Sequence, residues 1–486
     1  MTLARYLCLL VPAALVLLAA RVDRSRDGRL AALLAGIATA VGIAALHELS
    51  RLAGWFSFAP VDGAFRGMPV DLWLGWAVLW GAVPVLLRRV LPLPAALGLL
   101  LWLDAVALPE LQPLVRLGPN WLVGEVVGLL LVALPAQLLG RWSADRRHLR
   151  ARAALQLVVF AALTLWLGPT AVFEYGDGSW AHLTRLPDQV LVLLAQVGLL
   201  VAVPALAAVR EFVVRGHGTP YPWDPPRRLV TTGPYAYLAN PMQLSGIGLV
   251  LVLAVASRSA WLAGSALAAV AFATSVAGPH ERRDLADRYG PAWWAYQGKV
   301  RAWWPRGRPY PAPVSNVTSA GSGPAVLWLD AECAMCRAVG AFLRARRPRR
   351  LIMLPAGEHH PTLWRARYVA GDGYAAAGVA AIAHALDHLH LGWAYLGWLL
   401  RLPGVAWLAQ LIVDAMIAPP HPAGGAERSG RSGPVARPGL VARSGPVGRG
   451  EGCRTPSSDS STARSRPSAS TASPGSPPGP SPPPPA

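Results

Sequence analysis

The sequence predicts a polytopic α-helical membrane protein, followed by a small cytoplasmic α/β domain and a disordered C-terminal tail. The chain is 53% hydrophobic and only 15% charged, whereas charged residues make up about a quarter of ordinary soluble domains. The apolar residues form long runs that end near residue 277. A shorter mixed stretch follows, and the chain ends in a segment of proline, serine, glycine and arginine.

The membrane part is predicted to contain about nine spans, because a bilayer-spanning helix needs roughly 20 mostly apolar residues. Arg5 gives the first run only a weak basic start, which favours a span over a secretory signal. The last two runs are separated only by Arg258 and its neighbours, and they are predicted to form a helical hairpin. The runs cover residues 3–20, 30–49, 70–87, 91–108, 121–140, 153–172, 189–209, 242–257 and 259–277.

The net charge of +19 predicts the orientation, since arginine and lysine concentrate on the cytoplasmic side of a membrane. The N-terminus is therefore expected outside the cell membrane, with everything after residue 277 in the cytoplasm. No basic patch falls on a foldable soluble module, so no nucleic-acid partner is expected. The arginines that follow the first, third, fifth and seventh runs are Arg21, Arg24, Arg26, Arg29, Arg88, Arg89, Arg141, Arg146, Arg147, Arg150, Arg152, Arg210, Arg215, Arg227 and Arg228.

Composition predicts five parts. N-terminal transmembrane helices (1–209) precede a mixed membrane core with the hairpin (210–310), a linker (311–324), a small α/β domain (325–420) and a tail (421–486). The tail cannot bury an apolar core and is expected to be disordered.

Ionisable side chains inside the spans are few, and Asp104 is the best candidate for a functional one, because such residues are costly in a bilayer. The alternative is that Asp104 lies near a helix end and reaches water.

The mixed membrane core opens with the stretch LVTTGPYAYLANPMQLSG at 229–246. Asn240 is expected to cap a helix whose first residue is Pro241, since proline suits that position. The positive end of this helix would face the cytoplasmic surface and attract a negatively charged group of a cofactor.

Two groups of residues on either side of the hairpin keep a recognisable order. Gly233-Pro234-Tyr235, Asn240-Pro241 and Gly246 precede it, and Glu281, Tyr289-Gly290, Tyr296, Arg301 and Pro305 follow it. In this pattern the stretch 227–305 resembles the isoprenylcysteine carboxyl methyltransferase and phospholipid methyltransferase family of membrane enzymes.

The resemblance implies methyl transfer from S-adenosyl-L-methionine to a lipid-like or prenylated acceptor at the cytoplasmic interface of the lipid bilayer. It also implies that Glu281 binds a polar part of the cofactor. The other expected cofactor-binding residues are Gly233, Tyr235, Asn240, Pro241 and Tyr296. Ala239 and Gln243 stand where the family has an arginine and a tyrosine. The alternative is a non-catalytic membrane region that anchors the domain after it.

The domain at 325–420 begins with a predicted strand, Asp330, a Cys-x-x-Cys pair and an amphipathic helix. Cys333 would sit at the helix N-terminus, where the helix dipole favours a thiolate, and Cys336 would resolve a mixed disulfide. Half a zinc site is the alternative, but no second cysteine pair follows.

Asp330, Cys333 and Cys336 resemble the DCC-type thiol-disulfide oxidoreductase family. That likeness implies a thioredoxin-like fold, catalytic roles for both cysteines and a thiol or disulfide partner protein. A final apolar stretch at 391–418 is interrupted by Arg401 and Pro403, which argues against a tenth span.

Overall fold

The computed structural model describes residues 1–221, 224–311, 323–361 and 363–416. These residues belong to one compact unit, Met1–Ala426. The predicted tail at 421–486 and most of the predicted linker at 311–324 lie outside the described residues.

Helices dominate the described residues. They are α1 Thr2–Val22, α2 Arg26–Ala53, α3 Val70–Leu86, α4 Leu93–Glu110, α5 Trp121–Ala144, α6 Leu149–Tyr175, α7 Trp180–Thr184, α8 Asp188–Gly216, α9 Pro241–Ser257, α10 Ala260–Tyr289, α11 Pro291–Gln297, α12 Ala334–Ala345, α13 Val379–Leu386, α14 Leu391–Leu400 and α15 Pro403–Met416. The strands are β1 Phe56–Phe58, β2 Ala64–Phe65, β3 Met68–Pro69, β4 Val115–Leu117, β5 Ala325–Leu329, β6 Leu351–Pro355, β7 Arg367–Val369 and β8 Ala375–Ala377.

The protein is a polytopic helical membrane protein. Seven helices in the described residues are long and apolar enough to cross a membrane, namely α1, α2, α4, α5, α6, α8 and α10. The other two predicted spans correspond to the shorter apolar helices α3 and α9. The hairpin of α9 and α10 is present, and its turn places Arg258 in the left-handed conformation with φ of 54°. Helices α14 and α15 meet at an angle of 86°, in agreement with the break predicted at Arg401 and Pro403.

The N-terminal helices pack closely around α2, and glycines of α2 and α3 lie at the contacts. A Cβ on Gly81 would lie 2.6 Å from the carbonyl oxygen of Ala35, and one on Gly42 would lie 2.4 Å from Val132. Membrane helices depend on such small residues because lipid supplies no hydrophobic drive for helix association.

Prolines explain the irregular turns in the long helices. A proline cannot donate to the carbonyl four residues earlier and clashes with it, and a π-helical turn absorbs that conflict. Four π-helical turns each end two residues before a proline, and these prolines are Pro84, Pro135, Pro169 and Pro279.

The α/β part contains a four-stranded sheet in the order β6-β5-β7-β8. Strands β5 and β6 are parallel, β7 is antiparallel to β5, and β8 is antiparallel to β7. Leu327 of β5 and Leu343 of α12 are fully buried between the sheet and its helices.

Helix α14 lies between this α/β part and the membrane core. Ala394 and Trp398 pack with Tyr237 and Tyr296 of the membrane core, whereas Trp393 packs against the cluster around Leu327. The two predicted functional regions are therefore joined through one helix.

Candidate functional site

The Gly-Pro-Tyr turn is a buried 3₁₀ turn, Gly233–Ala236, that directly follows an extended segment. Its backbone is held by the chain that follows the hairpin. The amide of Tyr310 donates to the carbonyl of Ala236, and the amide of Ala239 donates to the carbonyl of Arg301, at 2.8 and 3.0 Å. The two halves of the sequence pattern are thus adjacent in space.

Tyr235 and Tyr296, both predicted cofactor residues, are in direct contact. The Tyr296 hydroxyl donates to the carbonyl oxygen of Tyr235 at 2.8 Å. The Tyr235 hydroxyl is buried and has no hydrogen-bond partner among the described residues. Burial raises the pKa of Tyr235 well above its ordinary value, and the nearby Tyr296, Glu281 and Glu211 add to this shift. Tyr235 is therefore a neutral, buried hydrogen-bond donor that lacks an acceptor.

Asn240 and Pro241 begin α9, as the sequence predicts. The Asn240 side chain makes no capping hydrogen bond within the part of the chain that the structure describes, and its backbone amide donates to the carbonyl of Ala302 at 3.3 Å. This amide is therefore already paired with the chain that follows the hairpin.

Glu281 lies on α10, is exposed, and makes no hydrogen bond or ion pair with other described residues. It is close enough to Tyr235 to affect the titration of that hydroxyl. The indole N–H of Trp293 is also buried without an acceptor among the described residues. Both donors lie next to Tyr296, and a carboxylate lies near one of them.

The two cysteines lie at the start of α12, as predicted. Cys333 is the N-cap residue, and its Sγ accepts from the backbone amide of Cys336 at 3.5 Å. Both cysteines are half-buried free thiols. Burial, with the hydrogen bond and charge of Cys333, raises the pKa of Cys336 to about 11. No group of three or more metal-binding side chains occurs in the parts of the chain that the structure describes.

A buried ionic cluster connects the membrane core to the α/β part, and the sequence analysis did not identify it. Glu211 of α8 lies 2.9 Å from Arg215 Nε and 3.3 Å from Arg401. Arg401 also lies 2.9 Å from Asp387, and Arg215 lies 2.6 Å from Asp372. Three acids and two arginines thus alternate, so each of these charges has an opposite charge beside it.

His384 lies within this cluster and is 1% exposed. Its Nδ1 accepts from Arg401 at 2.6 Å. Burial, and then the positive charges of Arg401, Arg215 and Arg210, lower the pKa of His384 well below its ordinary value. His384 is therefore neutral, which fits its role as an acceptor. The available sequence signal was Arg401, a charged residue isolated in an otherwise apolar stretch.

Comparison with known protein families, curated proteins and solved structures finds no match for this chain. The arrangement of the side chains is therefore the basis on which function is inferred.

Proposed function

We propose that the α/β part carries out thiol–disulfide exchange through Cys333 and Cys336. The observation that carries this proposal is the position of Cys333 as the N-cap of α12, with its sulfur facing the Cys336 amide. A helix N-terminus stabilises a negatively charged sulfur, and the thiolate is the attacking species in exchange.

The proposed exchange transfers two electrons from the dithiol to a partner disulfide. The Cys333 thiolate attacks one sulfur of the partner, which breaks the partner's S–S bond and releases a thiolate. Cys336 then loses its proton and attacks Cys333 Sγ, forming the Cys333–Cys336 disulfide and releasing the second partner thiol. The raised pKa of Cys336 keeps this thiol protonated until the mixed disulfide forms.

The sheet supports the proposed thioredoxin-like fold. The dithiol begins the helix that connects two parallel strands, β5 and β6, and an antiparallel pair, β7 and β8, extends the sheet beyond β5. The carboxyl group of Asp330, which directly follows β5, is buried near Cys336. Asp330 is therefore the proposed acceptor for the Cys336 proton.

The test is thiol labelling of the full-length protein in nanodiscs, equilibrated in glutathione buffers of graded potential. Cys333 and Cys336 are expected to become protected from labelling together, in one two-electron transition. The Cys333→Ser variant is expected to lose the protection of Cys336. Cys8→Ser and Cys453→Ser are the matched controls and should leave the transition unchanged. Independent labelling of Cys333 and Cys336 across the whole range would overturn the proposal.

A second candidate function, methyl transfer from S-adenosyl-L-methionine to a lipid-like or prenylated acceptor, is favoured by the orphaned Tyr235 hydroxyl. When bound, this cofactor supplies a methyl group on a sulfonium centre. Glu281 would hold a positively charged part of it, and Tyr235 and Trp293 would donate to its acceptors. Gly233, Pro241 and Tyr296 would form the wall behind Tyr235, and orientation in a dry site would be the main contribution of the protein.

Calorimetric titration of S-adenosyl-L-methionine into the nanodisc-embedded protein tests this second candidate. Glu281→Ala and Tyr235→Phe are each expected to weaken binding by at least ~10-fold, as loss of hydrogen bonds to charged ligand groups does. Asp287→Asn, an exposed acid on the same helix, is the control. If the wild-type protein shows the dithiol transition but does not bind the cofactor, residues 210–310 serve only to anchor the α/β part to the membrane.

A further inference from the structure

The membrane part contains a buried pair of carboxyl groups, Asp104 of α4 and Glu125 of α5. They are 0% and 2% exposed, so the expectation that Asp104 reaches water at a helix end is wrong. The Trp80 indole N–H donates to Asp104 Oδ2 at 2.8 Å. Asp104 and Glu125 are close enough for their charges to interact, and two neighbouring buried carboxyl groups do not both ionise, so the pair holds a shared proton.

Glu125 also lines a cavity of about 70 Å³. Most of the remaining wall is apolar and includes Trp73, Trp76 and Trp80. His47 is the other ionisable residue on the wall and is 8% exposed. An apolar cavity thus has one carboxyl group and one imidazole on its wall.

The buried polar atoms on this wall that lack a partner among the described residues are acceptors. His47 Nε2 lies 3.0 Å from the carbonyl oxygen of Arg66, so Nε2 carries the hydrogen and Nδ1 is left with a lone pair. Neither His47 Nδ1 nor Glu125 Oε1 receives a hydrogen bond from a donor among the described residues. The nearby Arg66 and Glu48 are paired with each other. A ligand in the cavity must therefore supply hydrogen-bond donors.

We propose that this cavity binds a small alkylammonium group. An alkylammonium ion supplies an N–H donor and a positive charge, and the charge is attracted to the faces of tryptophan rings. The volume is less than half of the ~150 Å³ that holds benzene in an engineered cavity, which limits the group to a few heavy atoms. The bound cation takes the place of the proton shared by Asp104 and Glu125, so one proton leaves the protein for each cation that binds.

The test is calorimetric titration of trimethylammonium chloride into the full-length protein in phosphatidylglycerol nanodiscs. Saturable binding with release of about one proton is expected, measured in two buffers of different ionisation enthalpy. Glu125→Gln should weaken binding by at least ~10-fold, whereas Glu110→Gln, an exposed acid on α4, should not change it. Trp76→Leu should also weaken binding, because it removes an aromatic face, and Trp102→Leu, exposed on α4, is its control.

Three outcomes would overturn the proposal: no binding, equal binding of the neutral analogue tert-butanol, or binding without proton release. The proton count uses wild type, so the test holds even where Glu125→Gln fails to fold. Repeating the titration in phosphatidylcholine nanodiscs identifies the source of the group. Weaker binding there means that a lipid headgroup competes for the cavity, and equal binding points to a free amine.

Discussion

Gly233 shows how a single residue holds the candidate site together. Its φ is 58°, a left-handed conformation that side chains with a Cβ disfavour. A Cβ at this position would also lie 2.7 Å from Cγ of the buried Glu211. The glycine therefore allows the Tyr235 turn and the ionic cluster to lie next to each other.

Gly233→Ala is expected to lower the free energy of unfolding by about 1–3 kcal/mol, through backbone strain and displacement of Glu211. The change is measured as the melting temperature of the purified protein in detergent. Gly246→Ala is the matched control, since Gly246 is helical and a Cβ there meets nothing within 4 Å. A loss of equal size for both variants would contradict this explanation.

What the sequence could predict at this scale was local. The cap position of Cys333 and the helix start at Pro241 follow from residues within one helical turn, and the structure has both. The contact between Arg401 and Glu211 joins residues 190 positions apart, and no spacing rule connects them. Tyr235 and Tyr296 are predicted to lie close together only because residues 227–305 resemble the pattern of a known family.

Among the elements, interior prolines leave backbone carbonyls that neighbouring elements use. Pro204 lies inside α8 and cannot donate to the carbonyl of Leu200, and the Tyr395 hydroxyl of α14 donates to that carbonyl instead. Pro12 similarly leaves the carbonyl of Cys8, against which Gly75 packs so closely that a Cβ would lie 1.8 Å away. Hydropathy predicts the positions of such helices in the sequence. It does not predict which neighbouring residue donates to the free carbonyl or packs against it.

Tyr395→Phe is expected to cost about 1–3 kcal/mol, because the Leu200 carbonyl then has no donor. In a Pro204→Ala background the same substitution should cost less, since the new amide at 204 reaches that carbonyl. A double-mutant cycle on melting or denaturant transitions measures this coupling. Tyr175→Phe, at a 73% exposed position, is the control, and purely additive effects would rule out the shared carbonyl.

In the whole molecule, the buried ionic cluster makes the α/β part and the membrane core one unit. Arg401→Met keeps much of the side-chain volume but leaves Glu211 and Asp387 each without one partner. Breaking a buried ion pair in this way costs about 3–5 kcal/mol. The expected result is a lower melting temperature, with separate transitions for the two parts. Arg365→Met, which breaks the exposed Arg365–Asp414 pair, should lower the melting temperature far less, and equal effects would contradict the role of the cluster.

The same cluster should make the protein sensitive to mild acid. His384 is surrounded by Arg401, Arg215, Arg210, Glu211 and Asp387, by the hydroxyl of Tyr374 and by the ring of Tyr368. Its pKa is lowered in the folded state, so below about pH 6.5 the unfolded chain binds a proton that the folded protein does not. Stability is therefore full above that pH and falls as the pH drops, by up to ~1.4 kcal/mol per unit for this histidine. The pKa of the nearby His388 is lowered too, chiefly by burial, which adds to the slope.

Melting temperatures between pH 7.5 and 5.5 measure this slope. His384→Asn is expected to flatten it, because the amide oxygen can still accept from Arg401 but the side chain no longer titrates. His280→Asn, at an exposed position on α10, should leave the slope unchanged. If wild type and His384→Asn lose stability in parallel over this range, the acid sensitivity arises from other groups. If the slope flattens only in His384→Asn, then protonation of His384 in mild acid is what weakens the contact between the membrane core and the α/β part.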